Sequence, residues 1–143
     1  DWHILRDSNN YRPYVTPPYF RSDWLNEVWG LFDDGDDFIF CYMGPKGTWT
    51  PFHSDVYESF SWSANVIGTK KWHIYPPGGE NRFKNAKTKD VKYDYAHPGV
   101  KDVDYYEVIQ QAGEVIFIPS GWHHVVWNLV RHLCDVVRHW WGK

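Results

Sequence analysis

The stretch GTWTPFHSDVYESFSW, residues 47–62, places a histidine and an aspartate two positions apart in a run of aromatic and hydroxyl residues. Side chains at positions i and i+2 of a β-strand project from the same face. The imidazole of His53 and the carboxylate of Asp55 would therefore enter one space. The pattern predicts a site that uses both groups. The alternative is a structural pair in which Asp55 orients a partly buried His53.

The sequence around this stretch predicts a domain built mainly from β-strands. The chain contains short segments rich in β-branched and aromatic residues, and all but the last end in Gly or Pro. They occupy residues 37–44, 59–68, 70–77, 105–113, 114–121 and 122–129. Such spacing is typical of an antiparallel sandwich or barrel.

Two other segments have different patterns. Residues 22–32, SDWLNEVWGLF, predict one helix with Ser22 as its N-cap and Asp23 in its first turn. The apolar stripe of this helix would consist of Trp24, Leu25, Val28, Leu31 and Phe32. Residues 78–104 form a long polar segment, which predicts a surface loop that could border a cleft.

Composition limits the class of protein. The 143 residues are 43% hydrophobic and 23% charged, which predicts one folded domain. Aromatic residues make up 20%, so we expect a core or cleft built from rings. The net charge of −3 argues against direct binding to nucleic acid.

The cysteine count and the hydropathy pattern bear on the compartment. Cys41 and Cys134 are the two cysteines and have no C-x-x-C spacing, which favours a reducing compartment over a disulfide scaffold. The sequence has no apolar run of about 18 residues and no signal-peptide pattern near its start. We therefore expect an intracellular protein without a membrane partner.

Two further histidines, His123 and His124, lie in IPSGWHHVV, residues 118–126. Adjacent strand residues face opposite ways, so only one of His123 and His124 can share a site with His53 and Asp55. Two imidazoles and one carboxylate form the ligand set of non-haem Fe(II) oxygenases, which leaves three coordination positions open. Zinc prefers a tetrahedral set, so iron fits these residues better.

The segment GTKKWHIYPP, residues 68–77, contains two adjacent lysines. Because Lys70 and Lys71 must face opposite ways, one ammonium group shares an otherwise apolar face. A buried ammonium usually has an anionic partner, and a bound carboxylate would serve. The alternative is a lysine whose stem covers Trp72 while its head reaches water. The hydroxyl of Thr50 could donate to the same carboxylate.

Two long stretches together resemble the JmjC (Jumonji C) family of Fe(II)- and 2-oxoglutarate-dependent oxygenases. They are GPKGTWTPFHSDVYESFSWSANVIGTKKWHIYPPG, residues 44–78, and QAGEVIFIPSGWHHVVWNL, residues 111–129. The resemblance implies a mainly β fold, a double-stranded β-helix of the jelly-roll or cupin type, with a flanking N-terminal helix. It also implies a single catalytic domain over residues 1–143 that lacks the N- and C-terminal extensions of the family.

The resemblance assigns roles to particular residues. His53, Asp55 and His124 are the implied catalytic iron ligands, which leaves His123 facing away. Lys70 and Thr50 are implied to hold the distal carboxylate of the cosubstrate 2-oxoglutarate, and O₂ is the other cosubstrate. Further cleft residues are then expected at Asn128 and on the polar side of the 59–68 strand, namely Ser61, Ser63 and Asn65.

Within the family, the chain is similar to lysyl hydroxylases of the translation release factor. This similarity implies a protein substrate, hydroxylation of a lysine carbon, and a location in the cytoplasm and also in the nucleus. A demethylase of methylated lysine or arginine would use the same iron. A binding module that keeps the fold without turnover is the third alternative.

The tail VRHLCDVVRHWWGK, residues 130–143, departs from the family pattern. The family strand after the Asn-Leu pair normally carries Ser, Thr and Asn, and the tail does not resemble it. The sequence therefore does not predict a strand here that closes the barrel near the cosubstrate.

Overall fold

The computed structural model describes residues 14–29, 31, 39–83, 103–130 and 133–140. Within these ranges the strands are β1 (Ile39–Gly44), β2 (Trp49–His53), β3 (Phe60–Ile67), β4 (Thr69–Tyr75), β5 (Tyr106–Gln111), β6 (Val115–Ile118), β7 (His123–Asn128) and β8 (Leu133–Trp140). One α-helix, α1 (Trp24–Trp29), precedes them. Short 3₁₀ helices are Pro18–Phe20, Val56–Glu58 and Gly79–Phe83.

The strands form two four-stranded sheets. Sheet I has the order β1-β8-β3-β6 and sheet II the order β2-β7-β4-β5, and every strand pair is antiparallel. Neighbours such as β2 and β7 come from distant parts of the chain, as in jelly-roll folds. The mainly β, antiparallel fold predicted from the sequence is therefore confirmed.

The two sheets pack face to face. Ile118 of sheet I packs in one buried cluster with Trp72, Ile74 and Val126 of sheet II. The amide of Gln110 in sheet II donates 2.9 Å to the backbone oxygen of Ser63 in sheet I. The face of sheet II that turns toward sheet I is called the inner face below.

The opposite, outer face of sheet II carries a second core cluster. Phe52, Tyr75 and Phe83 meet edge to face with ring centroids 5.1 to 5.6 Å apart, and Val125 completes the cluster. Aromatic rings in this arrangement gain energy beyond their buried area. Rings thus supply most of this part of the core, as the aromatic content predicts.

Strand β8 corrects the expectation for the tail. Its Val136 pairs with Cys41 of β1 on one side and with Ala64 of β3 on the other, so β8 lies inside sheet I. Backbone pairing needs extended residues with free N–H and C=O groups rather than a family pattern of side chains. The sequence LCDVVRHW contains neither Gly nor Pro, and it meets this requirement.

The predicted helix over residues 22–32 is only partly present. Helix α1 has six residues, and its apolar stripe is not a buried face, because Leu25 is buried while Trp24, Val28 and Leu31 are exposed. Phe32 lies outside the described residues. Because isolated helices shorter than about 12 residues are marginal in water, this helix depends on tertiary packing, to which the buried Leu25 contributes. Within the described residues, no helix has the length and hydropathy needed to cross a membrane.

The predicted surface loop over residues 78–104 begins with a packed segment. Phe83 ends the 3₁₀ helix Gly79–Phe83 and is 1% exposed, so this part of the segment covers the outer face of sheet II. A single aromatic anchor outweighs the surrounding polar residues. Residues 84–102 lie outside the described part of the chain.

Candidate metal centre

The inner face of sheet II carries several of the predicted site residues. Residues directly opposite each other in antiparallel strands share a face. Lys70 lies opposite Asn128, and Ile74 lies opposite His124. Val126 lies opposite both Trp72 and Thr50. Because Trp72, Ile74 and Val126 pack against sheet I, these pairings place Thr50, Lys70, His124 and Asn128 on the inner face.

A register shift brings His53 to the same face. Thr50 and His53 are an odd number of positions apart, so a regular strand would project them from opposite faces. The pairing instead shifts between Thr50, which lies opposite Val126, and His53, which lies opposite His124. Pro51 occupies the shift and has no N–H to donate. Such irregularities re-aim side chains, and this one turns His53 toward His124.

Asp55 lies just beyond the end of β2 in extended backbone, with φ −66° and ψ 153°. The chain then turns through Tyr57 and Glu58, which both have left-handed φ values of 53° and 50°. Residues of this kind adopt that conformation only where surrounding contacts hold it. Ser120, from the turn before β7, donates a hydrogen bond to the Glu58 carbonyl oxygen. The turn that leads to His124 thus also holds the segment that follows Asp55.

Three potential ligand atoms converge between the sheets. Oδ1 of Asp55 lies 3.9 Å from Nε2 of His53 and 3.8 Å from Nε2 of His124. One ligand atom from each residue lies within 4.8 Å of the others. The two imidazole–carboxylate separations are longer than hydrogen bonds. Ligand atoms bound at about 2.0 to 2.2 Å to one ion are about 3 to 4 Å apart, so these separations suit a shared metal ion.

The hydrogen bonds of the two Nδ1 atoms determine which nitrogen of His53 and of His124 is free to bind a metal. Nδ1 of His53 lies 2.7 Å from the Pro51 carbonyl oxygen, and Nδ1 of His124 lies 3.4 Å from that of Trp122. A carbonyl oxygen only accepts, so Nδ1 of a neutral ring carries the proton and donates. Each Nε2 then keeps its lone pair, which is the form that a metal requires.

Burial differs between the three residues. The side chains of Asp55 and His124 are 4% and 5% exposed, whereas that of His53 is 41% exposed. A buried carboxylate needs hydrogen bonds or a positive partner. The centre therefore has a buried side, at Asp55 and His124, and a side open to solvent, at His53.

The two adjacent lysines, Lys70 and Lys71, lie on opposite faces of sheet II. Lys70 is 5% exposed, and its ammonium nitrogen lies 5.4 Å from the ring centre of Trp72 on the inner face. The ring of Trp72 also lies against that of His124, with centroids 5.6 Å apart. Lys71 is on the outer face, where its ammonium lies 3.4 Å from the Glu107 carboxylate. Lys70 is therefore the lysine on the same face as His53 and His124, two of the candidate metal ligands.

His123 faces away from the centre, as the resemblance implies. Its ring stacks on Phe52 of the outer cluster with centroids 5.0 Å apart. The adjacent residues His123 and His124 of β7 thus project from opposite faces of sheet II.

Asn128 is fixed by the turn between β1 and β2. Its side-chain nitrogen donates 2.8 Å to the hydroxyl of Thr48, which in turn donates 2.7 Å to the Pro45 carbonyl oxygen. A Cβ at Gly44 would lie 2.6 Å from that side-chain nitrogen, so a larger residue at position 44 would displace the Asn128 amide. Asn128 lies beside Lys70, and its role toward a cosubstrate stays a prediction.

Sequence reasoning missed the partners that hold these groups. Ser61 was expected only to line the cleft, but its hydroxyl donates 2.6 Å to Oδ2 of Asp55. Gln110 was not singled out, although its side-chain oxygen accepts 2.9 Å from the indole nitrogen of Trp72. The signal for Gln110 was a polar amide between Val108 and Ala112, the two apolar residues that lie two positions away on either side of it.

The remaining predicted cleft residues have different surroundings. Ser63 and Asn65 are both buried on β3. Asn65 donates its amide hydrogens to the carbonyl oxygens of Gly68, at 3.0 Å, and Gln110, at 3.3 Å. Asn65 therefore ties β3 to β5 and to the turn before β4.

Comparisons with known proteins agree with this geometry. The family model described as "JmjC domain, hydroxylase" matches residues 40–133. Two similar proteins are named "2-oxoglutarate and iron-dependent oxygenase JMJD4": the Gallus gallus protein is 50% identical and the Homo sapiens protein 45% identical, each over 139 residues. "Arginine-specific demethylase JMJ20" of Arabidopsis thaliana is 41% identical over 150 residues. Each alignment covers 90% of this chain, and the chain spans 32% to 33% of the length of these relatives.

Proposed function

The chain belongs to the JmjC domain family, and from this premise we propose that it is the catalytic part of an Fe(II)- and 2-oxoglutarate-dependent oxygenase. The observation that carries the proposal is the convergence of His53, Asp55 and His124 within 4.8 Å. Their two imidazoles and one carboxylate match the ligand set of non-haem iron oxygenases.

His53, Asp55 and His124 would hold the iron through two Nε2 atoms and one carboxylate oxygen. When bound, iron would supply the oxidative chemistry in which O₂ and 2-oxoglutarate give succinate and CO₂ while a substrate C–H group becomes C–OH. The Pro51 and Trp122 carbonyl oxygens keep the proton of each ring on Nδ1, as the distances of 2.7 and 3.4 Å indicate. The two sheets exclude bulk water from the inner side of the site.

Lys70 is the residue that we assign to the distal carboxylate of 2-oxoglutarate. Its ammonium is buried on the inner face, with Trp72 beneath it. A dianionic cosubstrate would offset the charge of a cation held in this position. The hydroxyl of Thr50 and the amide of Asn128 lie on the same face and would complete the carboxylate site.

We propose a lysine side chain of the translation release factor as the substrate, and the cytoplasm as the location. The motifs around His53, Lys70 and His124 support this substrate through their similarity to lysyl hydroxylases of that factor. Hydroxylation of a lysine carbon gives a stable product, so the enzyme would leave one added oxygen atom. The net charge of −3 makes a protein surface a better partner than a nucleic acid.

A second candidate, demethylation of methylated arginine, is favoured by one observation. The relative JMJ20 is named as an arginine-specific demethylase and is 41% identical over 150 residues. The same iron ligands would serve, because hydroxylation of an N-methyl carbon yields an unstable product that loses formaldehyde. The substrate carbon that faces the metal would decide between the two outcomes.

Mass spectrometry of candidate substrates tests the proposal. The purified protein is incubated with Fe(II), ascorbate, 2-oxoglutarate and either a release-factor domain or a methylarginine peptide, with the His53→Ala variant as the control. A gain of one oxygen on a lysine supports hydroxylation, and loss of a methyl group with formaldehyde supports demethylation. Iron binding without succinate formation with either substrate would favour a binding module.

A further inference from the structure

We propose that Ser61 is a positioning residue that selects which oxygen of Asp55 faces the metal. The inference rests on the proposed metal centre and adds a residue from the opposite sheet to it. Ser61 would act through Asp55, without touching the ion.

The two oxygens of Asp55 have different surroundings. Oδ2 accepts a 2.6 Å hydrogen bond from the Ser61 hydroxyl. Oδ1 instead faces the two imidazoles, 3.9 Å from Nε2 of His53 and 3.8 Å from Nε2 of His124. One oxygen is therefore held by the protein, and the other is left to the space where the ligand atoms converge.

The hydrogen bond from Ser61 is of the strong kind. Hydroxyl-to-carboxylate bonds are short and charge-assisted, and this one is buried. The last torsion of an aspartate is broad and has two nearly equivalent orientations, because the carboxylate is symmetric. A fixed donor on one side removes that freedom, and Asp55 would then offer a single oxygen to the ion.

Ser61 is itself rigidly placed. It is 2% exposed and lies in β3, which pairs with β6 through Ile118 on one side and with β8 through His139 on the other. The contact therefore links Asp55 to an interior strand of sheet I, whereas both histidine ligands belong to sheet II. A displacement between the sheets would be transmitted to the carboxylate.

Cobalt binding tests this role without requiring turnover. The metal-free protein is titrated with Co(II), and affinity and the visible d–d spectrum are recorded for the unmutated chain, Ser61→Ala and Ser63→Ala. Loss of an outer hydrogen bond to a metal ligand lowers affinity by about 10- to 100-fold. We expect that loss, with a changed spectrum, for Ser61→Ala. Ser63→Ala removes a hydroxyl that is equally buried on the same strand and should bind Co(II) as the unmutated chain does.

Combination with Asp55→Ala tests whether Ser61 acts through the carboxylate. In the Asp55→Ala background, Ser61→Ala should cause no further loss of Co(II) affinity. A further loss as large as in the unmutated background would overturn the proposed route. Unchanged affinity and spectrum in Ser61→Ala alone would overturn the inference while leaving the metal centre intact.

Two measurements separate this inference from the proposed function. If the unmutated protein does not bind Co(II), or if His53→Ala binds it equally well, the metal centre itself is wrong. If Ser61→Ala does not fold, the infrared difference spectrum of the unmutated protein with and without Co(II) decides. A monodentate carboxylate supports selection of one oxygen by Ser61, and a bidentate carboxylate overturns it.

Discussion

Nε2 of His124 lies 3.8 Å from Oδ1 of Asp55, close enough to share an ion with it and too far for a hydrogen bond. This relationship predicts that His124→Ala removes a metal ligand and not a hydrogen bond to Asp55. We expect a loss of Fe(II) or Co(II) affinity greater than the about 10- to 100-fold typical of outer partners. Isothermal titration under anaerobic conditions measures it.

His123→Ala is the matched control for this variant. His123 precedes His124 in β7, but its ring stacks on Phe52 on the outer face. We expect lower stability and unchanged metal affinity. Equal loss of metal in both variants would contradict the assignment of the two faces of β7.

Lys70→Met should weaken the cosubstrate site and leave the metal site intact. Methionine keeps an apolar stem over Trp72 and removes the ammonium, which is buried on the inner face. Loss of a hydrogen bond to a charged group costs about 1.5 to 3 kcal/mol, or about 10- to 100-fold in affinity. We expect this reduction for N-oxalylglycine, a non-reacting analogue of 2-oxoglutarate, in titrations of the Mn(II)-loaded protein.

Lys71→Met provides the comparison, because Lys71 lies on the outer face with Glu107. Its affinity for N-oxalylglycine should equal that of the unmutated chain. An effect of Lys71→Met as large as that of Lys70→Met would place the carboxylate site elsewhere.

Gln110→Leu should destabilise the fold. The Gln110 side chain accepts from the Trp72 indole at 2.9 Å and donates to the carbonyl oxygens of Ser63, at 2.9 Å, and Glu114, at 3.0 Å. Leucine leaves these buried partners without that side chain, and we expect a loss of about 2 to 4 kcal/mol in the free energy of unfolding. Urea titration measures the loss.

Gln111→Leu changes the neighbouring residue of the same type. Gln111 is exposed, although its side-chain oxygen accepts 3.0 Å from Thr69. A change within about 0.5 kcal/mol is expected there. Similar losses in both variants would mean that the buried network around Gln110 contributes little.

Strand alternation predicted much of this site, because it depends only on the period of two along a strand. It placed Lys70 and Lys71 on opposite faces, and it required that one of His123 and His124 leave the site. Alternation alone could not place Thr50 and His53 together. Their shared face depends on the register shift at Pro51, which arises from pairing with β7, a strand far away in the sequence.

The tail and the polar partners were harder to predict for a related reason. Strand β8 is identified by its pairing with β1 and β3, whereas its sequence lacks the Ser, Thr and Asn pattern of the corresponding family strand. Alternation along the strand correctly placed Ser61 on one polar face together with Ser63 and Asn65. Its bond to Asp55 depends on the turn through Tyr57 and Glu58, whose left-handed backbone no local motif indicated.

The buried His73 on the outer face predicts how stability depends on pH. Burial lowers the pKa of His73 below its ordinary 6.5, and this effect outweighs the 2.8 Å hydrogen bond with Glu107 that raises it. Between the folded pKa and 6.5, the unfolded chain binds a proton that the folded chain does not. The stability contributed by neutral His73 is therefore fully present above pH 6.5, and the free energy of unfolding falls as the pH drops from 6.5 toward the folded pKa.

His73→Phe keeps a ring between Tyr105 and Trp127 and removes this titration. Urea unfolding of metal-free protein at about pH 7.5 and about pH 5.5 should show a smaller difference in the variant. An equal or larger difference would show that the acid sensitivity arises at other groups.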